Sequence, residues 1–287
     1  MKFDLEQGFK HQPSRAGLHV FAMGIVKAEG IVIRTMNMRE TSKLVTLFTR
    51  ELGILMLDAK GVRSGKSRIG AALEPLTVSR VVYYHRETRD IQFLTQADVV
   101  EFFPNLPADL EKWGYANACA ELVARAQTSA EATARLYPIL LNTLRAMNEP
   151  SAGARVCFWG FQMKLLGILG VAPNLRQCLN CRSGLPAGGA EMAYHFDFAR
   201  GGFFCSNCSS EAGLHLLAGE TLRRLAEFQS LPAEKLAPGK IAPSIQRQIE
   251  NFFRSYFAFH LEEIGSLTSL KFVREISGPP SVASSGK

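Results

Sequence analysis

Two cysteine pairs limit what this chain can fold into more than any other feature. Cys178 and Cys181 form one C-x2-C, Cys205 and Cys208 form another, and 23 residues separate the pairs. Two residues between cysteines let both sulfurs of a pair face one centre. Two such knuckles complete a tetrahedral site with metal–sulfur bonds of about 2.3 Å. Residues 194–204 alternate in character and contain Gly201-Gly202, which reads as a hairpin that brings the knuckles together. Redox and disulfide chemistry are the competing readings. A dithiol oxidoreductase needs one C-x-x-C at a strand–helix junction. A disulfide framework suits a secreted chain, and the start of this sequence carries no expected secretion signal. Structural zinc therefore ranks first, ahead of a rubredoxin-like iron. It is expected to act by folding a small insert that has little core of its own. Four cysteine ligands leave no open position for catalysis. His195 and His215 are substitute ligands that four cysteines make unnecessary, and Cys119 and Cys157 read as core thiols on helical apolar faces.

The rest of the chain supplies a core around this insert. Of its 287 residues 47% are hydrophobic and 21% charged, too apolar for disorder over most of the length. The longest charge-free, mostly apolar stretches, 16–26 and 165–175, are 11 residues each, where a spanning helix needs about 20. No membrane partner is expected. Residues 1–23 read as a flexible N-terminal extension, and 277–287 as a disordered tail. Within 24–103, strand-length runs at 28–35, 43–49, 54–60, 76–84 and 91–96 are mostly divided by Gly53, Gly61, Gly65, Gly70 and Pro75. Five short strands in that span predict a small closed β-barrel. Helical periodicity follows at 108–126, 133–147 and 155–169, and again at 220–231 and 244–264. The expected class is thus α+β and multidomain: a barrel (24–103), a helical domain (104–177 plus 213–276) and an inserted four-cysteine zinc module (178–212). The stripe Val156, Trp159, Met163 and Leu166 reads as core rather than as a cofactor box.

The formal net charge is +7, which favours a polyanionic partner. The excess is local. Between 34 and 68 eight basic residues face three acids, a net of +5, whereas 178–212 carries a net of −1. Residues 60–68 are too glycine-rich for a helix and are expected to form an exposed basic loop. Gly61 to Ser67 is one residue short of a phosphate-binding G-x4-G-K-S, and Pro75 limits any following helix. No H-E-x-x-H, G-x-S-x-G or G-x-G-x-x-G occurs, and no histidine has a nucleophile beside it in sequence.

Four segments carry a family resemblance. Glu29-Gly30-Ile31-Val32-Ile33-Arg34 is one. The run from Arg39 through Lys43 to Gly53 is the second. Ala59-Lys60-Gly61-Val62-Arg63 with Ser67-Arg68 completes an N-terminal signature. Residues 166–173 (LGILGVAP) leading into Cys178 and Cys181 add a fourth element. Together they resemble the RecO family of bacterial recombination and repair mediators over about 28–275. The 23-residue extension departs from the family pattern. The resemblance implies an N-terminal OB-fold, a helical domain and a zinc module in a non-enzymatic, cytoplasmic, nucleoid-associated protein. It also implies binding of single- and double-stranded DNA, annealing of complementary strands, and help for RecA on DNA coated by single-strand binding protein. RecR and the acidic, Phe-ended tail of single-strand binding protein are the implied partners, with RecA engaged indirectly.

On that reading Arg34, Arg39, Lys43, Lys60, Arg63, Lys66 and Arg68 are the candidates for phosphate contact. Tyr83, Tyr84 and Phe93 are either base-stacking or barrel-core residues. Arg155, Lys164 and Arg176 are the candidates around an apolar pocket for the partner tail, or else part of a solvated helix face. Two other readings of the residues remain open: a zinc-ribbon module for RNA binding or protein scaffolding, and a metal-dependent enzyme.

Overall fold

The computed structural model describes residues 23–38, 40–62, 69–126, 128–184, 192–208, 215–236, 239–261, 264 and 267–277. Five strands come first: β1 (Met23–Met38), β2 (Ser42–Thr49), β3 (Gly53–Ala59), β4 (Val78–Arg86) and β5 (Ile91–Glu101). They close into a barrel in the order β1-β2-β3-β5-β4. Every step round the barrel is antiparallel except β3 to β5, a parallel seam of three residue pairs from Met56↔Ile91 to Asp58↔Phe93. The five short runs read from the sequence are these five strands. β1 starts earlier and β5 ends later than the hydrophobic pattern indicated.

β1 is long because it serves both halves of the barrel. Its N-terminal part pairs with β4 and its C-terminal part with β2, and Gly30 and Ile31 pair with both. The strands cross so closely there that a Cβ on Gly30 would lie 2.5 Å from the Phe48 carbonyl oxygen. A bulge between Val32 and Arg34 then reverses which side chains face out. Val32, Val45, Leu47, Leu57, Val81 and Tyr83 fill the barrel interior. Ile31, Ile33 and Phe48 sit on its outer wall and are buried against the helices instead, with Phe48 5.9 Å from the Tyr137 ring.

The helical part begins with α1 (Leu110–Arg125), α2 (Ala130–Asn148) and α3 (Ala154–Ile168). Asp109 caps α1 by accepting from the Glu111 and Lys112 amides, and Ser129 caps α2 through the Ala132 amide. Gly170 (φ +77°) turns the chain out of α3. A three-stranded sheet follows, ordered β7-β6-β8, from β6 (Ala193–Asp197), β7 (Gly202–Phe204) and β8 (His215–Ala218). Then come α4 (Gly219–Ser230), α5 (Pro243–His260) and α6 (Thr268–Ser277). The expected helix over 244–264 therefore ends at His260, and a separate α6 returns along α1. Its close approach depends on Gly114, where a Cβ would lie 2.3 Å from Val273 Cγ2. The Glu121 carboxylate of α1 accepts from the Thr268 and Ser269 amides, each at 2.9 Å.

Two predictions follow from these contacts. Gly30→Ala should destabilise the protein by about 1–3 kcal/mol through overpacking. Gly24→Ala, where a Cβ meets nothing within 4 Å, should be close to neutral, and the two urea midpoints compare them. Burial alone would raise the Glu121 carboxyl, but the Ser269 and Thr268 amides and the Arg125 guanidinium hold it below the ordinary glutamate value. Its contribution is therefore present above about pH 4.3 and lost as pH falls through the lowered pKa. Glu121→Gln should flatten that limb of the urea-midpoint profile against pH.

Candidate metal centre and nucleic-acid interface

The chain leaving α3 is fastened before it reaches the cysteines. The Val171 amide donates to Leu166 O at 3.0 Å, and the Tyr256 hydroxyl of α5 donates to Val171 O at 2.9 Å. The Asn174 amide donates to Gly201 O (2.6 Å) and the Leu179 amide to Phe203 O (2.9 Å), so the first knuckle lies along the β6–β7 hairpin. Gly202 is required by this approach, since a Cβ there would lie 2.7 Å from Leu179 Cδ2. The hairpin read from residues 194–204 is present. β8 extends it by pairing with β6 from Ala193↔Ala218 to Phe196↔His215, a strand the sequence reading had not marked.

This arrangement brings all four cysteines together. The Sγ atoms of Cys178, Cys181, Cys205 and Cys208 lie within 4.8 Å of one another, with Cys181 and Cys205 at 3.6 Å. A tetrahedron with 2.3 Å bonds has edges of about 3.8 Å, so the set fits one metal ion. The Cys205 amide donates to Cys178 Sγ at 3.4 Å, a knuckle bond that favours a thiolate. Hydrogen bonding from the Ser183 hydroxyl, with its Oγ 2.9 Å away, and then from the Ser183 amide holds Cys181 down to about 6. Sharing a proton chiefly with Cys181 pushes Cys208 up to about 12. Four sulfurs this close cannot all ionise unaided, and a divalent cation in their midst supplies the compensating charge. His195 and His215 pair within the sheet and are not part of the cluster.

The segment also shares a core with the helices. Phe196 stands edge-on to Phe252 (5.1 Å), Phe198 (5.3 Å) and Tyr256 (6.2 Å), and Tyr194 and Phe203 are buried beside it. The four cysteines therefore flank a sheet that packs on α5 through Phe196.

Of the seven cations expected to meet phosphate, Arg39, Arg63, Lys66 and Arg68 lie outside the described residues. Arg34 is exposed on β1 and Lys60 is exposed just after β3. Lys43 is half-buried and paired with Glu74 at 3.0 Å, which offsets its charge. Tyr83 is 2% exposed and belongs to the barrel interior. Tyr84 faces outward and lies parallel to Phe93, with ring centroids 6.3 Å apart and planes 16° apart. Lys60 Nζ sits 5.2 Å from the centre of the Phe93 ring.

The three helical-domain cations are not gathered at one place. Arg155 braces three helices: it donates to the Tyr115 hydroxyl (2.9 Å) and Gln246 Oε1 (2.6 Å) and reaches Glu111 at 3.5 Å. It lines a cavity of about 230 Å³ together with Lys112, Val156, Trp159 and Ile241. Lys164 donates to Gln229 O at 2.8 Å, and burial lowers its pKa. It lines a different, smaller cavity of about 90 Å³ with Phe161 and Leu236. Arg176 is exposed and lines neither.

Removal of metal with a chelator should loosen the β6–β7–β8 sheet and, through Phe196, the end of α5, while the barrel keeps its own buried cluster. Hydrogen exchange should rise across 174–204 and 252–260 and stay unchanged in β1–β5. Equal loss of protection in the barrel would contradict this division. Cys205→Ser should lower the metal content per chain and produce the same pattern.

The chain matches two family models, the recombination protein O N-terminal domain over residues 23–103 and its C-terminal domain over 107–271. It is 27% identical over 259 residues to the DNA repair protein RecO of Bacillus pumilus, covering 88% of this chain and 98% of that protein. For the protein of the same name from Thermoanaerobacter sp. the identity is 29% over 241 residues (84% and 94%). For that from Pelotomaculum thermopropionicum it is 30% over 259 residues (90% and 97%). The first match ends with the barrel and the second takes in the helices and all four cysteines, so this chain belongs to the RecO family.

Proposed function

We propose that this protein is a non-enzymatic mediator of DNA repair and recombination. In this reading it binds single- and double-stranded DNA, anneals complementary strands and helps load RecA onto DNA coated by single-strand binding protein. The observation that carries the reading is a closed barrel, covered by the family's N-terminal model, whose outer wall presents Arg34, Lys60 and the exposed Tyr84 stacked against a half-buried Phe93. Annealing asks for no catalytic group. It asks that two polyanions be brought together, which cations on one surface accomplish by displacing counterions. Arg39, Arg63, Lys66 and Arg68 are assigned to the same surface from their sequence neighbourhood, and Lys43 contributes less because Glu74 faces it.

Zinc is the ion we assign to the four sulfurs, in a structural role, since four cysteine ligands suit it and close the site to substrate. We assign RecR and the acidic tail of single-strand binding protein as partners. The cavity at Arg155 has an apolar floor in Trp159 and Ile241 for an aromatic chain end, and its cations Arg155 and Lys112 stand beside Asp109 and Glu111, which an acidic partner would have to displace. Lys164 and Arg176 are secondary candidates for that contact. No described helix is long and apolar enough to cross a membrane; we place the site of action on the nucleoid in the cytoplasm because that is where the DNA of the proposed function lies.

The reading is tested by anisotropy titrations across a salt series. Affinity should fall steeply with salt. Replacing Lys60, Arg63, Lys66 and Arg68 together by Ala should weaken binding to all sequences alike and reduce the salt slope by up to about 4. Wild-type affinity in the quadruple variant would remove this surface from the mechanism. Annealing of complementary oligonucleotides, bare and coated by single-strand binding protein, tests the activity itself.

A further inference from the structure

We propose that the outer wall of the barrel holds a lane for unpaired nucleobases centred on Tyr84 and Phe93, so that the protein grips a single strand by its bases and releases it as it pairs. This rests on the DNA-binding function proposed above and concerns how that surface tells one form of DNA from the other.

Strand register builds the lane. Cross-strand partners point to the same side of a sheet. Ile25 of β1 pairs with Tyr84 of β4, and Tyr84 pairs with Phe93 of β5. Phe93 pairs with Asp58 of β3, Asp58 with Leu44 of β2, and Leu44 with Met36 at the other end of β1. The bulge after Val32 makes this continuity possible, because it changes the parity of β1 so that both Ile25 and Met36 face outward. One row of side chains thus runs round most of the wall.

The row is apolar where a barrel exterior is ordinarily polar. Ile25 is 66% exposed, Tyr84 47% and Met36 42%, and Ile91 in the neighbouring row is 38% exposed. Exposed apolar surface of this extent marks a contact site. Its chemistry suits a nucleobase. The rings of exposed Tyr84 and half-buried Phe93 lie nearly parallel, and Lys60 Nζ is 5.2 Å from the centre of the Phe93 ring, the pairing of aromatic platform and backbone cation that single strands use. Asp58 lies within the row and Lys60 and Arg34 lie beside it, so a phosphate is disfavoured over the lane and favoured at its rims. Bases therefore lie inward and the backbone outward. In a duplex both faces of each base are already stacked, and no face remains for Tyr84 or Phe93. Pairing removes the stacking contribution while leaving the phosphate contacts, which lowers the hold on the product.

The test uses the full chain and three labelled probes at one salt concentration: oligodeoxythymidine, an abasic oligonucleotide of equal length, and a duplex. Wild type should bind oligodeoxythymidine more tightly than the abasic strand. Combined Tyr84→Ala and Phe93→Ala should weaken oligodeoxythymidine binding by about tenfold or more, and leave the abasic strand and the duplex within about twofold. Tyr84→Phe with Phe93→Tyr should restore wild-type values, which separates stacking from a folding defect. Unchanged oligodeoxythymidine affinity in the double Ala variant, or a parallel loss for all three probes, would overturn the lane while the DNA-binding function stands. Wild-type protein that binds none of the probes would overturn that function and the lane with it.

Discussion

β1 pairs along both of its edges in the barrel and contributes to two hydrophobic cores, and most of the architecture depends on that double membership. Around Gly30 it pairs with β2 on one side and β4 on the other. Val32 faces the barrel interior, while its neighbours Ile31 and Ile33 face the helices. The absence of a side chain at Gly30 allows the approach to Phe48 that keeps both pairings intact. A strand shared in this way fixes the barrel to the helical half without a hinge between them, because the same few residues fill both cores.

The cysteine segment is held by a different logic. Its sheet is short but largely apolar, with Tyr194, Phe196, Phe203, Phe204 and Leu217 buried, and Phe196 places its ring among Phe198, Phe252 and Tyr256. The Tyr256 hydroxyl holds the approach to the first knuckle through Val171 O, and His260 Nε2 lies 2.8 Å from Phe198 O. Cys205 directly follows β7, Cys178, Cys205 and Cys208 pack with the same core as Phe252 and Tyr256 of α5, and Gln248 of α5 accepts from the Ala218 amide at the end of β8.

Much of this was legible in the residues, and the exceptions have physical causes. The cysteine spacing predicted the cluster because two-residue knuckles have few geometries. The five strands were readable because turn residues bound most of them. α6 escaped notice, although Leu267, Leu270 and Val273 carry a helical repeat, because its register is set by α1 through Gly114 and Glu121. The outward side of β4 could be read, since Arg80 shares parity with Tyr84. β5 misleads: Gln92 points inward and Phe93 outward, the reverse of hydropathy. The Gln92 amide bonds the Arg86 backbone (2.8 and 3.1 Å) and also the Arg89 carbonyl, bracing the β4–β5 hairpin. Arg155 and Lys164 lie nine residues apart on α3, which places them on opposite faces of that helix, so their separation was legible in the helical period.

The order of these cores along the chain has a consequence for synthesis. The cluster that fills the barrel is contained between Val32 and Ala97, so a ribosome delivers every one of its members before the first helix is made. The other core waits for Phe252 and Tyr256, and the fourth sulfur for Cys208. During that interval Ile31, Ile33 and Phe48 stand uncovered on a finished barrel. The first half of the nascent chain is therefore a barrel with one apolar wall uncovered, and the four cysteines come together only at a later stage of synthesis.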